Sequence, residues 1–236
     1  MRNIIYLLLS SLIMMMSCSK SDMIPLNEES NDIDSTILVN EIRYLALGDS
    51  YTIGQGVSQS ESWPYQLQQS LKENGDTINE IKIIAKTGWT TTNLLNAIDE
   101  ERPENFNLVS LLIGVNNQFQ GLSFEEFQSE FDSLIQTSIR LAGNKDRVFV
   151  VSIPDYGVTP FGSSNSAQIG RELDAYNNYM KLHSEALDIP FVDITEISRE
   201  LGGSPAALAT DRLHPSGAQY RLWVEEILPV AIGLLK

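Results

Sequence analysis

From Ile42 onward the chain alternates short, almost wholly apolar runs with longer segments whose apolar residues recur every three or four positions. The runs Ile42–Leu47, Ile81–Ala85, Leu108–Ile113, Val148–Ile153 and Phe191–Ile194 are rich in Ile, Val and Leu at consecutive positions. Strands apolar on both faces belong to parallel sheets covered by helices on each side. Between the runs, Ser62–Leu71, Thr91–Glu100, residues 167–187 and residues 216–235 carry helical spacing, and Pro229 is expected to kink or break the last. Ser123-Phe-Glu-Glu126 has the form of a capping box, and Phe127, Phe131, Leu134, Ile135 and Ile139 follow it on one helical face. This alternation predicts one three-layer α/β/α domain over residues 42–236. Ligands of such sheets gather beyond the carboxyl ends of the strands, so chemistry is to be sought in the loops after each run.

The first 41 residues depart from that pattern. Residues 1–17 combine a lone Arg2, an apolar stretch from Ile4 to Met16 and a small residue, Ser17. These are the parts of an export signal, and the stretch is short for a membrane span. Cys18, the only cysteine, follows at once, where it resembles the lipidated first residue of bacterial lipoproteins, although Met15 stands where leucine is commoner. Residues 18–41 are otherwise polar and acidic, the composition of a flexible linker. The expectation is an exported protein held in the bacterial cell envelope, on the periplasmic or surface side, and touching membrane only through lipidated Cys18.

A formal net charge of -15 argues against nucleic acid as a partner, because phosphate binding needs a basic face. Two histidines and one cysteine offer no recognisable metal-ligand set. Gly54-Gln55-Gly56 lacks the further glycine of a dinucleotide loop, and no phosphate-loop pattern occurs, so no cofactor is expected. The domain is expected to act as a monomer on a small-molecule or glycan substrate.

The stretch LALGDSYTIGQG at residues 45–56 sets Ser50 at the end of the first apolar run, among glycines. Alone, this serine reads as well as a turn or N-cap residue as it does a nucleophile. A serine nucleophile needs a base. His183 lies mid-helix with no carboxylate placed to orient it across a strand end. His214 lies in Asp211-Arg212-Leu213-His214-Pro215, a loop opening the last helix, where Asp and His three apart can point into one pocket. An exposed histidine in an N-cap cluster would also account for that loop.

GDSYTIGQG, Gly88 in Lys86-Thr87-Gly88-Trp89, Gly114-Val115-Asn116-Asn117, and Asp211-Arg212-Leu213-His214-Pro215 resemble, in order, the four blocks of the SGNH (GDSL-type) hydrolases. The resemblance spans residues 45–217 and implies a flavodoxin-like sheet of five parallel strands. It implies Ser50 as nucleophile, His214 as base and then acid, and Asp211 as its orienting carboxylate. The N–H groups of Ser50 and Gly88 and the Asn116 side chain would form an oxyanion hole. Asn117 replaces the aspartate usual in the third block, which removes a carboxylate expected to tie neighbouring loops. Arg212 is also not the commonest residue there.

The substrate is less legible. Trp89, Asn117, Phe119, Tyr156 and Phe161 are candidate pocket walls, Tyr156 and Phe161 on a loop after the fourth run. Aromatic walls suit sugar stacking and acyl packing equally. Anchoring and an acidic body favour a polysaccharide or small soluble ester over anionic lipid, and a carbohydrate acetylesterase is the reading carried forward. A lysophospholipase or thioesterase is the alternative enzyme, and a non-catalytic surface binding module the alternative outside enzymes.

Overall fold

Five strands form at the apolar runs and pair in parallel throughout: β1 (Ile42–Gly48), β2 (Ile78–Ala85), β3 (Leu108–Leu112), β4 (Val148–Val151) and β5 (Phe191–Val192). The computed structural model describes residues 41–236; the expected export signal, Cys18 and the linker as far as residue 40 lie outside the described residues. Strand order is β2-β1-β3-β4-β5, that of a flavodoxin-like doubly wound sheet. β1 and β3 lie inside the sheet and are buried almost end to end, as their unbroken apolar sequence requires.

β2 starts three residues earlier than its apolar run, with Ile78 paired to Ile42. As an edge strand it tolerates the polar Asn79 and Glu80 that hide its start, and Arg43 holds Glu80 at 2.6 Å. β4 and β5 are shorter than their runs. After β4, the Ile153 N–H donates to the Asn177 side chain, and after β5 the Asp193 carboxylate takes the Thr195 N–H, so both chains leave the ladder for side-chain partners.

The helices are α1 (Ser50–Ile53), α2 (Trp63–Glu73), α3 (Thr91–Glu101), α4 (Val115–Phe119), α5 (Phe124–Ala142), α6 (Ser166–Ala186), α7 (Thr195–Leu201) and α8 (Gly217–Leu235). α2 packs against α8, while α3, α5 and α6 pack in succession against one another, giving the outer two of three layers. Phe127 and Phe131 of α5 and Trp223 of α8 are fully buried. Truncating any of them to alanine would cost roughly 3–5 kcal/mol. The capping box of α5 is half formed. Ser123 accepts from the Glu126 N–H, but its hydroxyl donates to Glu125, and Glu126 does not reach back. Pro229 does not break α8, which runs through it to Leu235; the proline is exposed, so the carbonyl it leaves unpaired one turn earlier meets water.

From β1 the chain goes to β2 on one side and then crosses back to β3 on the other. The loops leaving β1 and β3 therefore diverge, and a crevice opens at their carboxyl ends.

Candidate active site

Ser50 is the first residue of α1, immediately beyond β1, and is 4% exposed. Gly48 is required there by space rather than by a turn. A Cβ on it would lie 2.4 Å from the Leu112 carbonyl oxygen and 2.1 Å from Thr52 Oγ1. Asp49 caps the single turn of α1, its Oδ1 accepting from the Tyr51 N–H at 3.0 Å. Burial pushes the Asp49 carboxyl up to about 7, against the pull of that N–H, and Oδ2 has no partner among the described residues. As the first helical residue, Ser50 has a backbone N–H with no intrahelical acceptor.

Two other loops bring donors to the same place. Gly88, beyond β2, has φ +84°, a conformation that favours glycine, and among the described residues other than its chain neighbours no atom lies within 4 Å of where its Cβ would be. Its N–H makes no protein hydrogen bond among the described residues. Asn116, in α4 beyond β3, donates one side-chain N–H to the Trp89 carbonyl at 2.9 Å. That bond fixes the amide and leaves its second N–H free to donate. Gly114, with φ +123°, lets α4 begin against the Phe127 ring, which a Cβ would approach to 2.7 Å.

The last loop carries Asp211 and His214. Asp211 Oδ2 and His214 Nδ1 are 2.7 Å apart, and Asp211 Oδ1 accepts the N–H groups of Leu213 and His214, each at 3.0 Å. Burial works to raise the Asp211 carboxyl, but the His214 ring and these two N–H groups outweigh it and hold the group below the usual carboxylate range. Arg212 between them has φ +60° and is exposed, outside the cavity. This conformation costs a non-glycine residue about 1–2 kcal/mol. The loop rests on the opening stretch: a Cβ on Gly56 would meet Ala209 at 2.8 Å and the Asp211 carboxylate at 3.3 Å. The Tyr51 ring stands edge-on to the His214 ring at 5.7 Å.

Ser50, Gly88, Asn116 and His214 thus border one cavity of about 230 Å³. Ser50 and His214 make no direct hydrogen bond to each other, a contact that commonly tightens only when substrate binds. The rest of the lining is mostly apolar, with Tyr51, Val115 and Leu213 beside the motif residues, Phe119, Tyr156 and Phe161 further out, and Thr87 the polar exception. Phe119 and Phe161 remain 55% and 54% exposed at its mouth.

Two candidate wall residues are elsewhere. Trp89 does not line the cavity; its ring packs against the core, and only its carbonyl serves the site. Asn117 is fully buried behind the site, accepting from the Thr91 N–H at 3.1 Å and donating to Thr91 Oγ1 at 2.6 Å. It therefore ties the loops after β2 and β3 as an amide, in the place where loss of a carboxylate was expected to leave them untied. Tyr51, Val115 and Leu213 were missed as wall residues, although each adjoins a motif residue in sequence. His183 lies half-buried on α6, 3.3 Å from Asp132 and outside the cavity.

A backbone N–H, a second N–H from a glycine and a fixed amide, facing a serine and a carboxylate-bound imidazole, are the groups acyl transfer needs. Comparison with known proteins bears on the fold and the family. A spore germination lipase of Bacillus licheniformis is 23% identical over 216 residues, covering 83% of this chain and 99% of the lipase. Among solved structures, a lipase from a goat rumen metagenome aligns with a TM-score of 0.67 at 20% identity, over 83% of this chain and all of the lipase. An acetyl xylan esterase from Geobacillus stearothermophilus aligns with a TM-score of 0.62 at 20% identity, over 80% of this chain and 94% of the esterase. Residues 46–222, from within β1 into α8, match the profile of the GDSL-like lipase/acylhydrolases, and the chain belongs to that family.

Proposed function

We propose that the protein is a serine esterase that cleaves carboxylic esters through an acyl-Ser50 intermediate. The observation carrying this reading is the 2.7 Å Asp211–His214 hydrogen bond, with the imidazole facing the cavity that also holds Ser50. With Nδ1–H donated to Asp211, Nε2 is left basic and takes the Ser50 proton as Oγ attacks the ester carbon. The Asp211 carboxylate, held ionised, stabilises the imidazolium. The N–H groups of Ser50 and Gly88 and the Asn116 side chain receive the oxyanion. Collapse breaks the bond to the alcohol, which leaves with the proton from His214. Water then attacks acyl-Ser50 by the same route in reverse, releasing the acid.

The cavity is smaller than the roughly 300–1,000 Å³ of drug-sized ligand sites, which favours a short acyl group such as acetyl. We therefore favour a carbohydrate acetylesterase. A lysophospholipase or thioesterase is the second reading, favoured by exposed Phe119 and Phe161, along which a longer chain could lie. The sequence before the fold supports an exported lipoprotein anchored through Cys18. Palmitate labelling that vanishes in Cys18→Ala is its expected mark.

The direct test is p-nitrophenyl acetate hydrolysis by the protein, Ser50→Ala and His214→Ala. Each variant should lose on the order of 10³-fold or more in kcat. Equal rates in all three would overturn the assignment, and a preference rising from acetyl to octanoyl to palmitoyl would overturn the acetylesterase reading.

A further inference from the structure

A second cavity, of about 560 Å³, adjoins the first and shares Phe119, Tyr156 and Phe161 with it. The three rings pack with centroids 5.8–6.3 Å apart and form a ridge between the two spaces. The far side of that ridge differs in chemistry from the near side. It is lined by the amides Gln118, Gln120, Asn165 and Gln168, with Ser164 and Glu172.

Several of these groups are held in place. The Tyr156 hydroxyl donates to Gln118 Oε1 at 2.9 Å, and Gln118 Nε2 donates to Glu172 at 2.7 Å. Gln168 Nε2 donates to the other Glu172 oxygen at 2.8 Å. Hydrogen bonds from Gln168 and Gln118 keep the Glu172 carboxyl below its usual range. Each amide still has capacity beyond these bonds, because a primary amide carries two donors and a carbonyl acceptor. Side chains already pinned by one another lose less freedom when a ligand binds.

We propose that this second cavity receives the alcohol portion of the ester, and that this portion is a hydroxyl-rich group of the sugar class that carries no negative charge. The proposal rests on the esterase reading above. Hydroxyl groups donate and accept at once, and so do the amides facing them, whereas an alkyl chain placed here would desolvate those amides without return. No lysine or arginine lines the cavity, and Glu172 is anionic, so a phosphate or carboxylate on the alcohol would be repelled. Exposed Phe119 and Phe161 offer apolar faces to the C–H faces of a sugar ring at the boundary. An ester seated across the ridge would leave its acyl group on the Ser50 side and its alcohol among the amides.

The test compares monoacetylated xylobiose, hexyl acetate and acetylcholine as substrates, beside p-nitrophenyl acetate. The protein should prefer the xylobiose ester over hexyl acetate and acetylcholine by tenfold or more in kcat/KM. In Gln168→Leu that preference should shrink at least fivefold, through KM. Unesterified xylobiose should inhibit hexyl acetate hydrolysis competitively at millimolar concentration, a readout that depends on no variant. Preference for hexyl acetate or acetylcholine, or absence of inhibition by xylobiose, overturns the subsite while Ser50-dependent p-nitrophenyl acetate hydrolysis keeps the esterase reading. Loss of Ser50 dependence with p-nitrophenyl acetate overturns both.

Discussion

On the Ser50 side of the cavity, the groups assigned to chemistry are held by hydrogen bonds or close glycine contacts. Asp49 caps the turn bearing Ser50, Asn116 is fixed to the Trp89 carbonyl, and Asp211 takes three donors from its own loop. On the opposite side, Phe119 and Phe161 are more than half exposed and rest chiefly on each other and on Tyr156. That wall is anchored from behind. Buried Asp155 caps the turn of Tyr156 through the Gly157 N–H and receives Arg199 at 3.0 Å, while Arg199 also holds Asp174 and Glu196. The contrast separates two jobs. Reactive groups need sub-ångström placement, which backbone geometry supplies, whereas a specificity wall needs shape and apolar area, which side-chain packing supplies.

Substitutions on the two sides should therefore fail differently. After the Ser50 and His214 variants, the largest effect is expected from Asn116→Ala, which in the proposed role removes one oxyanion donor and should lower kcat by roughly 10²–10³ with KM little changed. A rise confined to KM would move Asn116 out of the oxyanion role. Next is Arg199→Ala, which leaves the Asp155 carboxylate buried without its partner. Because Arg199 is itself 27% exposed, the loss should fall near the low end of the roughly 3–5 kcal/mol seen for broken buried pairs. Denaturant unfolding measures it, and an unchanged midpoint would show that the wall has another anchor.

Asp49→Asn probes the fixed side through pH. The folded carboxyl is pushed up to about 7 from 3.8. Between those values the folded protein keeps a proton that the unfolded chain releases, so this group's contribution to stability declines as pH rises through the window. Asparagine can still cap α1 but cannot ionise. The stability difference between pH 5 and pH 8 should therefore shrink in the variant, and an unchanged difference would remove Asp49 as its source. The smallest effect is expected from Phe161→Ala, about 1 kcal/mol of apolar contact, or roughly fivefold in KM, with kcat retained. A loss in kcat alone would merge the two sides.

The same division governs what the chain discloses in sequence. The buried strands are legible because two covered faces demand unbroken apolar runs, and β2 is understated only where an edge admits Asn79 and Glu80. Ser50, Gly88, Asn116, Asp211 and His214 each sit in a short local pattern, so their convergence on one crevice follows once the sheet is drawn. Asn117 could not be read the same way. Its partner Thr91 lies 26 residues away, and an amide serves there as well as a carboxylate. Trp89 shows the converse: a conspicuous side chain whose backbone, not its ring, serves the site. The polar second cavity has no local signature, since its amides come from α4 and the residue that ends it, the turn before α6, and α6 itself.

If Ser50 carries the acyl group, as proposed, covalent labelling will find it there. The protein is treated with a fluorophosphonate, and the modified peptide is located by mass spectrometry. One adduct is expected, on Ser50, formed in step with loss of p-nitrophenyl acetate hydrolysis and absent in Ser50→Ala. An adduct on another residue that tracks the loss of activity, or full activity with Ser50 modified, would contradict the proposal.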